Sequence, residues 1–166
     1  MPQWPVPAEN AIRVGGLPLF HEYEADATIY PGMLVILVAG SQGHCTPCTP
    51  DDCNVVGVAD LAMASQTGRG SWRHDHATYG YGKDDAKPYT TGDQVKVISG
   101  DIFVELIVCP LQNIAIGDKL SCCATGYVHD YDCSTTADPC AIVAEAMETV
   151  VTGVAEYKYV LAKLLI

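Results

Sequence analysis

The densest run of chemistry-bearing residues is His44-Cys45-x-x-Cys48-x4-Cys53. Zinc takes tetrahedral nitrogen and thiolate ligands, and a Cys-x-x-Cys knuckle with a nearby His and a third Cys supplies four. Structural zinc sites usually pair two such knuckles across a longer span, and no second knuckle follows. The plainer chemistry is a disulfide across a surface loop stiffened by Pro47 and Pro50, so no metal or other cofactor is expected. A second cluster holds Cys122, Cys123, Cys133 and Cys140. Adjacent cysteines rarely bond to each other, but either can pair across a hairpin. The disulfide candidates are therefore Cys45, Cys48, Cys53, Cys122, Cys123, Cys133 and Cys140. Cys109 ends an apolar run before Pro110 and fits a small buried hydrophobe. His74 and His76 could share one face of a strand, but their glycine-rich flanks favour a solvated or partner-facing loop.

Signatures of hydrolases and nucleotide enzymes are absent: the chain has no Gly-x-Ser-x-Gly, no Walker loop, no His-Glu-x-x-His and no Gly-x-Gly-x-x-Gly after a strand. A thiol nucleophile paired with His44 or His129 stays open, since catalytic groups meet in space rather than in sequence. The carboxylates Asp93, Asp101 and Asp118 fall in turns, which Asp itself stabilises. No catalytic role is expected.

The elements that must position these residues are strands. Tyr30–Gly40, Thr91–Gly100 and Ile116–Gly126 repeat one pattern: a glycine turn, an apolar strand and a glycine that reverses the chain. In the second copy Val95 and Val97 share a face. The first copy leads through a Cys-rich loop to Asn54–Asp60, and the third through Tyr127–Tyr131 and another Cys-rich loop to Ala141–Ala146. These parallels imply an internal duplication. Small residues in the last strand of each unit (Gly57, Ala59, Ala144, Ala146) imply close packing on another backbone. Ala141–Met147 has helical propensity, but its alignment with Val55–Ala59 makes it a strand, and Tyr157–Ile166 is the closing strand. The expected fold is all-β and mainly antiparallel, a single domain over residues 22–166. Residues 1–21, rich in proline and glycine, form an extended arm whose Trp4, Val6, Ile12, Val14, Leu17 and Phe20 are too apolar to be solvated. Residues 64–89 form a long loop carrying Trp72 and Tyr79.

Composition narrows the partners. Hydrophobic residues make up 49% of the 166 and charged residues 17%, which excludes a disordered chain. The net charge of −11, nine basic residues against twenty acidic ones, leaves no basic patch to neutralise phosphates. Nucleic acid and anionic membranes are thus not expected partners. Met33–Ala39 is too short to span a bilayer, and the N-terminus has no signal-peptide pattern. Synthesis in the cytoplasm is expected. Eight cysteines instead suggest an oxidising place of work. A virion component, made inside a cell and working outside it, reconciles the two.

The succession Ala25–Val35, Val55–Ala59, Tyr89–Val97, Ile114–Leu120 and Ile142–Ala146 resembles the capsid decoration (cement) proteins of tailed bacteriophages and related archaeal viruses. The resemblance spans residues 22–166. It implies a β-barrel or β-tulip body, made in the host cytoplasm, that assembles as homotrimers on the outer capsid surface. There it would bridge neighbouring major capsid proteins, with the apolar arm reaching to a neighbour. Apart from the resemblance, Trp72 and Tyr79 are the expected anchors of the 64–89 loop because aromatics dominate interface energetics, the alternative being a loop packed on itself. Eight cysteines and the 64–89 loop depart from the family pattern. Two other functions fit the composition less well: a secreted or surface-displayed module binding glycans or proteins, and a small metal- or thiol-dependent enzyme.

Overall fold

The computed structural model describes residues 13–50, 52–60, 88–132 and 141–166. In chain order the strands are β1 (Arg13–Gly16), β2 (Leu19–Ala25), β3 (Leu34–Leu37), β4 (His44–Pro47), β5 (Val55–Ala59), β6 (Gln94–Ser99) and β7 (Ile102–Val108). They continue with β8 (Asn113–Ile114), β9 (Lys119–Cys122), β10 (Val128–Asp130), β11 (Ile142–Ala146), β12 (Val150–Val151) and β13 (Lys158–Leu164). Five of them close a barrel in the order β2-β4-β3-β5-β6. Five more run β7-β10-β9-β11-β13, and pairing of β7 with β13 closes that set too. β1 lies on the outer edge of β7, and β8 pairs with β12 as a small ribbon.

The two barrels are copies of one plan. β4 lies parallel to the end of β2, as β10 does to the end of β7. The amide of Asp26 donates to the Cys45 carbonyl at 2.9 Å, and that of Cys109 donates to Val128 at 3.0 Å. Gly32 donates to Ala59 and Gly117 to Ala146, both at 2.8 Å. The β3–β5 ladder slips between Val35 and Ile36, and the β9–β11 ladder slips at the matching place, between Ile142 and Ala144. This correspondence lays Leu19–Ala25 over Ile102–Val108, with Phe20 on Phe103 and Glu22 on Glu105. The expected duplication is therefore a duplication of a whole barrel.

Local chemistry fixes the strand starts. Gly92 and Gly117 hold φ near +90° in the turns before β6 and β9, a conformation that costs a side-chain-bearing residue about 1 kcal/mol or more. In both turns the following aspartate folds back: Asp93 accepts the Thr90 amide and Asp118 the Ala115 amide, each at 2.7 Å. The Gly-Asp pair thus supplies the backbone freedom and the acceptor that one turn requires.

One continuous core spans both barrels, from Ile29, Leu34, Val58 and Ile98 to Leu106, Leu120, Val143 and Val160. The junction is also tied covalently, by the Cys48–Cys122 disulfide. Beside it the Gly126 amide donates to the Cys48 carbonyl at 3.0 Å, and the Tyr159 hydroxyl donates to Pro31 at 2.8 Å. Ile142–Ala146 forms a strand rather than a helix, and the C-terminal stretch closes the second barrel, as the pattern implied.

Two boundaries differ from expectation. Within the proposed arm, residues 13–16 and 19–21 are strands of the body, because their backbones complete the ladders of β7 and β6. Tyr89, the last residue of the expected loop, is fully buried; its backbone bridges Ile29 and its hydroxyl donates to the Asp60 carbonyl at 2.8 Å. The rest of that loop, up to residue 87, lies outside the described residues.

Candidate protein interface

The residues grouped as a possible zinc set do not converge. Alternation along β4 sends Cys45 into the barrel and His44 outward, where its Nδ1 lies 2.7 Å from an Asp26 carboxylate oxygen. Cys48 is bridged to Cys122, and Cys53 is also held in a disulfide. Among the described residues no group of three or more His, Cys, Asp or Glu side chains gathers as metal ligands would.

Two cysteine assignments are corrected. Cys45, a disulfide candidate, is a free thiol buried among the barrel's apolar side chains. Cys109, expected to be a plain hydrophobe, is bridged to Cys123 with its Cα 6.9 Å from its partner's. The usable signal was the Cys122-Cys123 doublet: neighbours on an extended backbone point opposite ways, so they need different partners. Here Cys122 reaches across to the first barrel and Cys123 stays within the second. Cys133 and Cys140 lie outside the described residues.

Among the described residues the thiol nucleophile finds no geometry either. Cys45 has no exposed surface, and burial, with a smaller contribution from the Asp26 charge, pushes its pKa up to about 12. His129 does meet a hydroxyl, that of Ser121 at 2.9 Å. The two residues sit opposite each other on β10 and β9, and Ser121 is fully buried. This is a cross-strand polar pair whose hydroxyl a substrate cannot reach.

What the surface does offer is apolar area at one end of the molecule. Leu17 is 90% exposed, Leu19 61% and Phe20 53%, with Phe103 and Leu165 also uncovered. The ladders bring them together: Gly15 pairs with Phe103, Leu19 with Ser99, and Lys163 with Phe103. The Gly100 amide donates to the Ile166 carbonyl, which draws the C-terminus into the same place. A shallow groove of about 430 Å³ runs there between Gly100, Asp101 and Lys163–Ile166, and the Lys163–Asp101 ion pair (3.1 Å) crosses it. Lys96 adds a charged neighbour, 4.3 Å from the centre of the Phe20 ring. A separate apolar set, Leu111, Val151 and Val154, lies beyond the far end of β7, where Leu111 donates to Gly153.

Of the side chains expected to make contacts, Leu17 is placed at this apolar end. Trp4, Val6, Ile12, Trp72 and Tyr79, the side chain of Val14, and His74 and His76 lie outside the described residues. The sequence reading did not single out Leu19, Phe103 or Leu165, because one apolar residue in a strand carries no mark of which neighbours remain uncovered.

No protein-family model matches the chain, and no curated protein matches it. Among solved structures, the chain is similar to the crystal structure of the head fiber gp8.5 N base of bacteriophage phi29. The TM-score is 0.54 at 13% identity, with 90% of this chain and 95% of that chain covered. At that identity the likeness is one of fold.

Proposed function

We propose that this chain is a structural protein of a virus particle, a decoration or cement protein that binds the outer surface of an icosahedral shell through protein–protein contact alone. The observation that carries the reading is the apolar end formed by Leu17, Leu19, Phe20, Phe103 and Leu165 on a chain of net charge −11. A cluster of uncovered large side chains on an otherwise acidic molecule is the ordinary signature of a protein-binding surface. The fold likeness to a phage head fiber base supports the same setting.

The mechanism is mass action. A rigid body that binds the mature shell and not its precursor stabilises the mature state. Repetition over a symmetric surface then gives avidity beyond any one contact. The Cys48–Cys122 link helps by fixing the two barrels before binding, so that little ordering entropy is lost at the interface. Contacts would be to the major capsid protein and to further copies of this chain as a homotrimer.

Electron cryo-microscopy of particles from the virus that carries this chain tests the reading. Tandem-barrel density on the outside of the shell is the expected result. Absence of the chain from purified particles by mass spectrometry would end it.

A further inference from the structure

We propose that the open edge of β2 at Phe20 and Glu22 is a docking site for an extended, cationic segment of the partner protein, which adds as an antiparallel strand. This mode of gripping presupposes the protein-binding role proposed above.

The internal duplication locates the site. In the second barrel β10 covers only the end of β7, and β1 covers its beginning through the register Arg13–Val104, Gly15–Phe103 and Gly16–Ile102. In the first barrel β4 covers only Glu24 and Ala25 of β2. The stretch equivalent to Ile102–Val104 is Leu19–His21, and among the described residues no strand lies there. One edge of the duplicated plan is filled by an antiparallel strand, and among the described residues its counterpart is open.

The hydrogen-bond phase shows which groups that edge presents. Ala25 bonds toward β6, donating to Asp93 and accepting from Gly92. Glu24 and Asp26 bond toward the β4 side, donating to Gly43 and Cys45. Alternation then aims the peptide groups of Phe20 and Glu22 at the same side, beyond the start of β4. Proteins blunt such edges with proline, a bulge or charged side chains. Leu19–Tyr23 has no proline, its register with β6 is unbroken from Leu19 to Glu24, and its acidic side chain, Glu22, bars an acidic strand but not a cationic one. The Phe20 ring, half exposed beside the edge, offers an anchor.

Charge selects the occupant. Glu22 and Glu24 alternate outward along this edge, and Lys96, the cross-strand partner of Glu22, is committed to Asp60 at 3.2 Å. A second copy would bring a further net charge of −11 to an acidic edge. A segment alternating apolar and Lys or Arg residues satisfies both the backbone and the carboxylates.

The test uses the full chain, isotope-labelled, titrated with a short synthetic peptide of alternating valine and lysine. The Phe20 and Glu22 amide resonances should shift saturably, with binding roughly tenfold weaker for the same peptide carrying glutamate. Glu22→Pro removes an edge donor and should abolish the response. Glu22→Lys, which keeps the backbone intact, should reverse the preference between the two peptides. Absence of shifts at this edge, or equal response to both peptides, overturns the proposal. So does self-association of the wild-type chain that Glu22→Pro abolishes, since the occupant would then be a second copy. On particles, normal binding of Glu22→Pro would reject the edge while leaving the shell role intact. Failure of the wild-type chain to bind particles would reject the shell role, and the peptide result would still decide the edge.

Discussion

The α-carbon of Gly57 lies so close to Ile98 that a Cβ on it would stand 2.5 Å from the Ile98 carbonyl oxygen. Strand β5 therefore packs on β6 backbone to backbone, with no room for a methyl group. Gly57→Ala should destabilise the protein by about 3 kcal/mol or more through forced separation of this ladder. At the equivalent position of the second barrel, Ala144 already carries the methyl, and Ala144→Gly should cost about 1 kcal/mol. Urea unfolding of the two variants checks the asymmetry; equal losses would reject it.

The Cys48–Cys122 bridge closes 74 residues of sequence and joins the barrels. Chain-entropy arguments give a loop of this length about 4 kcal/mol of stabilisation, against about 3 kcal/mol for Cys109–Cys123, whose partners are 14 residues apart. Replacing Cys48 and Cys122 together by serine should thus lower the unfolding midpoint more than replacing Cys109 and Cys123. Peptide mapping of the oxidised protein should recover both pairs.

These results show what local pattern can and cannot carry. The glycine turns, the strands they open and the duplication were legible because Gly92-Asp93 and Gly117-Asp118 encode a turn within four residues. The Val-Gly-Val-Ala and Val-Ala-Glu-Ala strands were legible because small residues record a close neighbour. Closure into two barrels was not, since it depends on pairings such as β7 with β13 that join distant residues. The fates of Cys45 and Cys109 failed for the same reason. A thiol's partner is set by which strands become neighbours, and spacing along the chain is silent on that. Leu19, Phe103 and Leu165 escaped notice because strands far apart in sequence bring them to one end only after folding.

Cys45 should behave as an inert core residue. With its pKa pushed up to about 12 by burial, almost no thiolate exists at neutral pH. Iodoacetamide should leave it unmodified in the native protein and label it after denaturation without reductant. Rapid native labelling would contradict the geometry of β4.

Lys96 and Asp60 form a 3.2 Å ion pair in which the carboxylate is almost wholly buried. Lys96→Met would strand that charge, and the loss should be about 3 kcal/mol, since breaking a buried pair costs more than the pair contributes. Asp60→Asn in the same chain should recover part of the loss by removing the orphaned charge. A double-mutant cycle by urea unfolding checks it; additive effects would show the two side chains to be uncoupled.

His44 makes one part of the stability depend on pH. Its pKa is raised above 6.5, first by the hydrogen bond to Asp26, then by the negative charges of Asp26 and Glu24, with partial desolvation opposing them. A group whose folded pKa exceeds its unfolded value binds its proton more tightly in the folded state. Its contribution is therefore complete below about pH 6.5 and fades as pH rises through the folded pKa. The wild-type chain should hold its largest advantage over His44→Gln near pH 6, and that advantage should shrink by pH 8. Unfolding midpoints of both proteins across this window measure the difference. A gap that stays constant, or widens with pH, would mean that the histidine and Asp26 do not interact in solution as they do in the folded structure.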